Sequence, residues 1–255
     1  DIIEQNLETF AKAESIDSGK PLKVSRTIDI PRAQSNFRFF ASAIVHFSSE
    51  SHRMENEAVN YTIRKPIGVV GCISPWNLPL YLLSWKIAPA LATGNCVVAK
   101  PSEVTPMTAY LLSKAFIEAG IPPGVLNIVH GRGHKTGQAL VEHTDVKAIS
   151  FTGGTQTGKI IAQTAAPLFK KLSLELGGKN PCIIDETANI KLTAKRIVWG
   201  KFLNAGQTCI APDYILIHQS KKETFYKALQ IEIEKAYTNN PETSNDFARI
   251  VNEKN

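Results

Sequence analysis

The stretch Asn204-Ala205-Gly206-Gln207-Thr208-Cys209 sets a thiol among small and polar residues, with turn-forming residues just ahead of it. A thiolate is a strong nucleophile near neutral pH, and a backbone N–H beside it can steady an oxyanion. The same residues also suit a buried core cysteine, the usual fate of a free thiol. A carboxylate stands in Leu174-Glu175-Leu176-Gly177-Gly178-Lys179. Glu175 follows an apolar run, and partial burial would raise its pKa and fit it to act as a base near neutrality. An ion pair with Lys179 is the structural alternative. In Ser74-Pro75-Trp76-Asn77-Leu78-Pro79 two prolines stiffen the loop around Asn77. A rigidly held amide can donate to an oxyanion, or it can bond its own backbone in a turn.

Three further stretches suit a dinucleotide. Lys100-Pro101-Ser102-Glu103 offers a lysine and a carboxylate for ribose hydroxyls, or a surface ion pair. Gly131-Arg132-Gly133-His134-Lys135-Thr136-Gly137 resembles G-x-G-x-x-G but is one residue too long, so a plain glycine turn fits as well. Thr152-Gly153-Gly154-Thr155 opens a helix, where backbone N–H groups attract phosphate; a glycine turn with a threonine N-cap is the alternative. Together the chain supplies a thiol nucleophile, a carboxylate base, an oxyanion amide and a dinucleotide site. Oxidation of an aldehyde through a thioester needs all four.

The elements that must position these groups follow from periodicity. Residues 1–50 read as helical: Ile2, Ile3, Leu7 and Phe10 fall near helical spacing, and Asp17-Ser18-Gly19-Lys20-Pro21 breaks the run. A second helix is expected after Pro31, through Ala33, Phe37, Phe40, Ile44 and Phe47. Val59–Arg64 alternates and reads as a strand. From residue 68 strands and helices alternate. Strands are expected at 68–73, 96–99, 125–129, 148–151, 172–175, 182–184 and 214–217. Helices are expected near 80–92, 106–119, 136–143, from 155, 189–203 and 221–237. The pattern predicts an α/β fold with a Rossmann-like, doubly wound parallel sheet, helices on both faces and ligands beyond the carboxyl ends of the strands. The motifs above sit at those ends.

Composition bounds the function. The 255 residues are 43% hydrophobic and 20% charged, as in a soluble globular protein. The net charge of +6 is spread out, with no Arg-rich arm, which reads as a solvated surface and not a nucleic-acid site. No apolar run is long enough for a membrane span. The four cysteines lack zinc-site spacing and no signal peptide is evident, so no metal and a reducing, cytoplasmic compartment are expected. The first residue is not Met, and a trimmed or processed chain is expected.

Ser74-Pro75-Trp76-Asn77, Lys100-Pro101-Ser102-Glu103, Phe151-Thr152-Gly153-Gly154, Leu174-Glu175-Leu176-Gly177-Gly178-Lys179 and Gly206-Gln207-Thr208-Cys209 resemble the aldehyde dehydrogenase superfamily in order and spacing. Cys209 follows Glu175 by 34 residues, as that family's nucleophile follows its base. The resemblance implies that Cys209 is the nucleophile, Glu175 the base for the deacylating water, and Asn77 with the Cys209 N–H the oxyanion hole. It further implies NAD as cofactor, with NADP possible. Lys100 and Glu103 would hold the adenosine ribose, Gly133 would lie against the adenine end, and Gly154 near the pyrophosphate. Ser102, Gly153, Ile73, Pro75 and Trp76 complete the implied cofactor contacts.

Up to about Pro181 the chain resembles the 2-aminomuconate and 2-hydroxymuconate semialdehyde dehydrogenases, through Ile30-Pro31-Arg32, Asn36–Phe40, Pro75–Tyr81 and Leu174–Pro181. Beyond it, Thr208–Tyr214 and Arg249–Asn252 resemble the class that oxidises fatty and aromatic aldehydes. The first resemblance implies that Arg32 meets a substrate carboxylate. The family's later Glu-x-Phe-Gly-Pro motif is absent, so residues 1–175 are expected to form an NAD-binding domain and 176–255 only the beginning of a catalytic domain. On that reading the chain alone binds NAD without normal turnover. Residues 56–66 would build a homo-oligomer, a dimer or tetramer.

Overall fold

Nine strands are present among the described residues: β1 (Ser51–Met54), β2 (Ala58–Tyr61), β3 (Val69–Ile73), β4 (Cys96–Lys100), β5 (Leu126–Ile128), β6 (Val146–Thr152), β7 (Lys171–Glu175), β8 (Asn180–Ile184) and β9 (Pro212–Ile217). The computed structural model describes residues 1–55 and 57–253. Five strands form one parallel sheet in the order β5-β4-β3-β6-β7. The chain winds outward from β3 through β4 to β5, then returns to lay β6 on the other side of β3. That reversal opens a crevice between the carboxyl ends of β3 and β6, where an open α/β sheet binds ligands.

Side-chain alternation explains the two layers. Val70, Cys72, Val97 and Ala99 face one way, into a core with Leu80, Leu83 and Ile87 of the helix Pro79–Ala92 and Leu112 of the helix Met107–Glu118. Ile73, Ile149 and Phe151 face the other way, against Leu140, Val141 and Ile161 of the helices Gln138–Glu142 and Thr155–Ala165. A strand buried on both faces needs apolar residues at every position, which is why these runs read so plainly. A separate two-stranded parallel sheet, β8 with β9, packs on the helices Ile190–Phe202 and Lys222–Tyr237 through Ile184, Ala194, Ile197 and Phe225.

The N-terminal helices differ from expectation in detail. Helical geometry starts again at Leu22 and runs through a widened turn, Ser25–Asp29, into the helix Ile30–Ala43. Ile30 N–H bonds the Ser25 carbonyl five residues back, and Pro31 has no N–H to continue the regular ladder. Inside this region Lys20, Glu14 and Asp29 form a buried ion triad. The Lys20 Nζ lies 3.2 Å from Glu14 Oε1 and 2.6 Å from Asp29 Oδ2.

The expected strand at 59–64 is β2, ending at Tyr61, and it pairs antiparallel with β1, which the sequence pattern did not reveal. Ser51-His52-Arg53-Met54 carries no apolar alternation, and all its residues are exposed. Asn56, where the expected oligomerisation segment begins, and residues 254–255 of the expected catalytic portion lie outside the described residues.

Candidate active site

Two distant loops meet at the crevice through a reciprocal pair of amides. Asn77 Nδ2, in the loop after β3, donates to the Gln207 carbonyl at 2.8 Å. Asn204 Nδ2 donates back to the Asn77 carbonyl at 2.9 Å. The Asn77 side chain therefore stands beside the loop that carries Cys209, with one of its two N–H protons used and the other unassigned. Buried side-chain oxygens with no partner collect here, at Ser74, Asn77, Thr152, Asn204 and Thr208. Buried polar atoms are ordinarily bonded, so such a group at strand ends fits a polar ligand.

Cys209 is free and half-buried. The turn before it is strained: Asn204 (φ 53°) and Ala205 (φ 53°) are left-handed, and Gly206 follows at φ 81°. Left-handed backbone at a residue with a Cβ costs on the order of 1 kcal/mol and persists only where neighbours enforce it. Gln207 does so. Its Nε2 donates to Asn204 O (2.9 Å) and Arg249 O (3.0 Å), and its Oε1 accepts from Val251 N–H (3.0 Å).

Glu175 ends β7, and the structure corrects one expectation about it. The side chain is exposed, not partly buried, and Lys179 pairs instead with Asp213 at 3.5 Å. The physical reason is position. Strand β7 is the edge of the five-stranded sheet, and neighbours cover it from one side only. The Glu175 carbonyl accepts from Gly153 N–H at 3.0 Å, which ties the carboxylate's strand to the glycine turn after β6.

On the other side of the crevice, Lys100, Glu103 and Gly133 come together. The Lys100 Nζ, on a side chain only 3% exposed, bonds Glu103 Oε2 at 2.9 Å and Pro101 O at 2.8 Å. Glu103 Oε1 accepts from Gly133 N–H at 3.2 Å. Burial alone would raise the Glu103 carboxyl, but the hydrogen bonds from Lys100, its own backbone and Gly133, with the Lys100 charge, hold it below the ordinary carboxylate range. Ser102 is buried, and its Oγ closes the turn by accepting from Val104 N–H at 3.2 Å.

The helix Thr155–Ala165 begins at Gly154, and no side chain caps its first N–H groups. A Cβ on Gly154 or Gly133 would meet nothing within 4 Å, whereas one on Gly153 would strike the Phe151 ring at 2.5 Å. Open space over a helix start and a carboxylate–lysine pair across from it fit a dinucleotide's phosphates and ribose. Ile73 is buried at the end of β3, Pro75 and Trp76 line the same loop, and Trp76 O accepts from Thr105 Oγ1 at 3.4 Å. Arg32 stands apart. It is exposed near the start of its helix, with its guanidinium 5.7 Å from the ring centre of Tyr81.

The family model described as the aldehyde dehydrogenase family matches residues 1–255. The chain belongs to the aldehyde dehydrogenase family. It is 54% identical over 228 residues to the 2-aminomuconic semialdehyde dehydrogenase of Homo sapiens, covering 89% of this chain and 47% of that protein. It is 43% identical over 258 residues to the 2-aminomuconic 6-semialdehyde dehydrogenase of a Pseudomonas species, covering 99% and 52%. The NAD+ complex of an aldehyde dehydrogenase from Bacillus cereus superposes with a TM-score of 0.94 at 38% identity, covering 100% of this chain and 52% of that one. The chain thus spans about half the length of the relatives it matches.

Within this aldehyde dehydrogenase framework, sequence reasoning missed Lys86. It is the only charged residue of the helix Pro79–Ala92, and that isolation was the available signal. Its Nζ is 3.2 Å from Ser150 Oγ. Burial pushes its pKa down, against the opposing pull of Cys72 and Glu175, so Glu175 lies within reach of a buried cation.

Proposed function

We propose that the intact protein oxidises an aldehyde to a carboxylic acid with NAD, through a thioester on Cys209. The observation that carries this reading is the Asn77–Gln207 and Asn204–Asn77 amide exchange, which sets a rigid donor beside the thiol's loop at the crevice of the sheet. The Cys209 thiolate adds to the carbonyl carbon, and the second N–H of Asn77 with the Cys209 N–H receives the charge on oxygen. NAD, when bound, supplies the acceptor for the hydride that leaves that carbon. Glu175 then takes a proton from water. The water's oxygen joins the thioester carbon, the C–S bond breaks, and the acid and the thiolate are released. The exposed position of Glu175 suits contact with bulk water. We assign residues 1–175 to the cofactor domain and 176–255 to the beginning of the catalytic one. The third core cluster supports this, since it draws only on residues 182–229.

The semialdehyde names of the relatives support an acidic substrate whose carboxylate meets Arg32, a group suited to bidentate pairing. Fatty or aromatic aldehydes are the second reading, favoured by the Thr208–Tyr214 resemblance. A catalytically silent relative is the third, and the strained turn before Cys209 argues against it. NAD is favoured over NADP because Glu103 can accept from a ribose 2′-hydroxyl and would repel a 2′-phosphate. NADH and NADPH formation by the intact protein, followed by absorbance on a panel of acidic and fatty aldehydes, tests this. Turnover is expected with NAD, and Glu103→Ala is expected to bring the NAD-to-NADP ratio of kcat/KM down by about tenfold, the worth of one charge-assisted contact. No reduced cofactor with any aldehyde would refute the assignment.

Four free cysteines fit a reducing compartment such as the cytoplasm, and no helix among the described residues is long and apolar enough to cross a membrane. The β1–β2 hairpin supports self-association. Val59 is 65% and Tyr61 63% exposed on a two-stranded ribbon with both edges unpaired, a surface that is a liability unless covered. Light scattering is expected to show a dimer or tetramer that Val59→Asp shifts to monomer. A monomer in the unaltered protein at high concentration would contradict it.

A further inference from the structure

The segment between Glu175 and Cys209 contains a feature that the roles assigned above leave unused. Asn180, the first residue of β8, sends both protons of its side-chain amide into the nucleophile's loop: Nδ2 donates to Cys209 O at 2.7 Å and to Ala211 O at 3.1 Å. The two acceptors flank Ile210, so one amide fixes the peptide planes on both sides of the turn that follows the thiol. Gly178 completes the seat. A Cβ there would lie 2.2 Å from the Cys209 carbonyl oxygen, a distance that no side chain could occupy. The same Cβ would meet Asn180 Nδ2 at 3.0 Å, so the bare backbone of Gly178 leaves room for both the Cys209 carbonyl and the amide that holds it.

We infer that Asn180 is a positioning residue for Cys209, holding the peptide on its carboxyl side and with it the orientation of the thiol. The inference rests on the proposed role of Cys209 and deepens it. A left-handed turn at residues 204–206 delivers the chain to Cys209, and the bonds from Gln207 brace that side only. The outgoing side has the short turn bond from Ala211 N–H to Thr208 O, at 3.1 Å, and the Asn180 amide. Without Asn180, two half-buried carbonyls lose this donor and the Cys209–Ile210 peptide is held on that side by the single turn bond from Ala211 N–H to Thr208 O. A reacting group displaced by about 1 Å can lose on the order of a hundredfold in rate. The cofactor contacts at Lys100, Glu103 and Gly154 belong to other loops, so cofactor affinity is not coupled to this seat.

The test uses the intact protein with Cys209→Ser as a parallel control. Asn180→Ala is expected to lower kcat/KM for aldehyde by about a hundredfold while the NAD dissociation constant changes less than twofold. Asn180→Asp supplies a readout that general loosening would not give. Its ionised carboxylate repels the two carbonyls, whereas its protonated form offers one O–H donor. Its activity relative to the unaltered enzyme should therefore rise as pH falls into the carboxyl range. Asn180→Ala with kcat/KM within threefold of the unaltered enzyme, beside an inactive Cys209→Ser, would overturn this inference alone. Turnover that survives Cys209→Ser would remove the reading of Cys209 and this inference with it. Should Asn180→Ala fail to fold, hydrogen exchange at the Asn180 side-chain amide of the unaltered protein decides. Exchange at least tenfold slower than at an exposed asparagine is expected, and exchange at the exposed rate would refute the seat.

Discussion

Cys209→Ala in the intact protein is expected to lower NADH formation by on the order of 10⁴-fold or more, the scale on which losing a covalent nucleophile acts. The substitution removes Sγ and leaves the framework in place. The Cys209 carbonyl that Asn180 holds is backbone, and the Asn77 amide bonds the carbonyl of Gln207, two residues away. Cofactor affinity is therefore expected to stay within about twofold, because the Lys100–Glu103–Gly133 contacts are untouched. No other thiol can substitute. Burial pushes the Cys72 thiol up to about 12, so it stays protonated near neutrality. Cys96 begins β4, at the end of the sheet away from the crevice, and Cys182 lies within β8. Steady-state absorbance beside fluorescence titration of NAD checks both halves. Turnover above about one per cent of the unaltered rate would mean that the bond to carbon forms elsewhere, since a lost nucleophile leaves far less.

The inner strands β3 and β4 of the parallel sheet were legible because they are apolar runs bounded by Gly and Pro, and burial on both faces favours that pattern. Val69–Ile73, Cys96–Lys100 and Lys171–Glu175 stand where the sequence put them, within a residue or two. Strand β1 was not legible, because nothing buries it and only its pairing with β2 makes it a strand. The exposure of Glu175 escaped for a related reason. The run Leu172-Ser173-Leu174-Glu175 looks like a buried strand, but on a sheet edge its residues alternate between half-buried and exposed. The motifs around Asn77, Lys100, Glu103 and Gly154 could be placed at strand ends because the alternation of elements fixes those ends. The Asn77–Gln207 contact spans 130 residues, and no local pattern announces it. Asn180 and Lys86 carry no local motif, since the contacts they make come from what folding brings to them.

Lys20→Met is the substitution expected to cost most in stability, about 3–5 kcal/mol, as for a buried ion pair broken from one side. That is a large part of the roughly 5–15 kcal/mol that holds a typical domain folded. Lys20, Glu14 and Asp29 are all buried, and the lone ammonium already serves two carboxylates. Among the described residues Asp29 Oδ1 and Ser25 Oγ have no hydrogen-bond partner. Methionine fills the volume of the stem but leaves two carboxylates in apolar surroundings with no cation. The pH dependence has a definite sign. In the unaltered protein burial lowers the Lys20 pKa, but the charges of Glu14 and Asp29 outweigh it, so its folded pKa is raised above the unfolded value. Its contribution is then whole at neutrality and is lost only in strong alkali, as pH climbs through the folded pKa. Burial likewise raises the Glu14 carboxyl, the Lys20 charge opposing it. Without Lys20 the Glu14 carboxyl moves further up, above an unfolded value near about 4, so the variant loses stability as pH rises from there. The gap between the two proteins should be narrow near pH 4 and wide at pH 7–8, when compared by denaturant unfolding across that range. Adding Glu14→Gln to Lys20→Met should recover part of the loss at neutral pH, because one of the two stranded charges is gone. A gap that closes with rising pH, or a variant as stable as the parent, would mean that the triad does not bind these helices together.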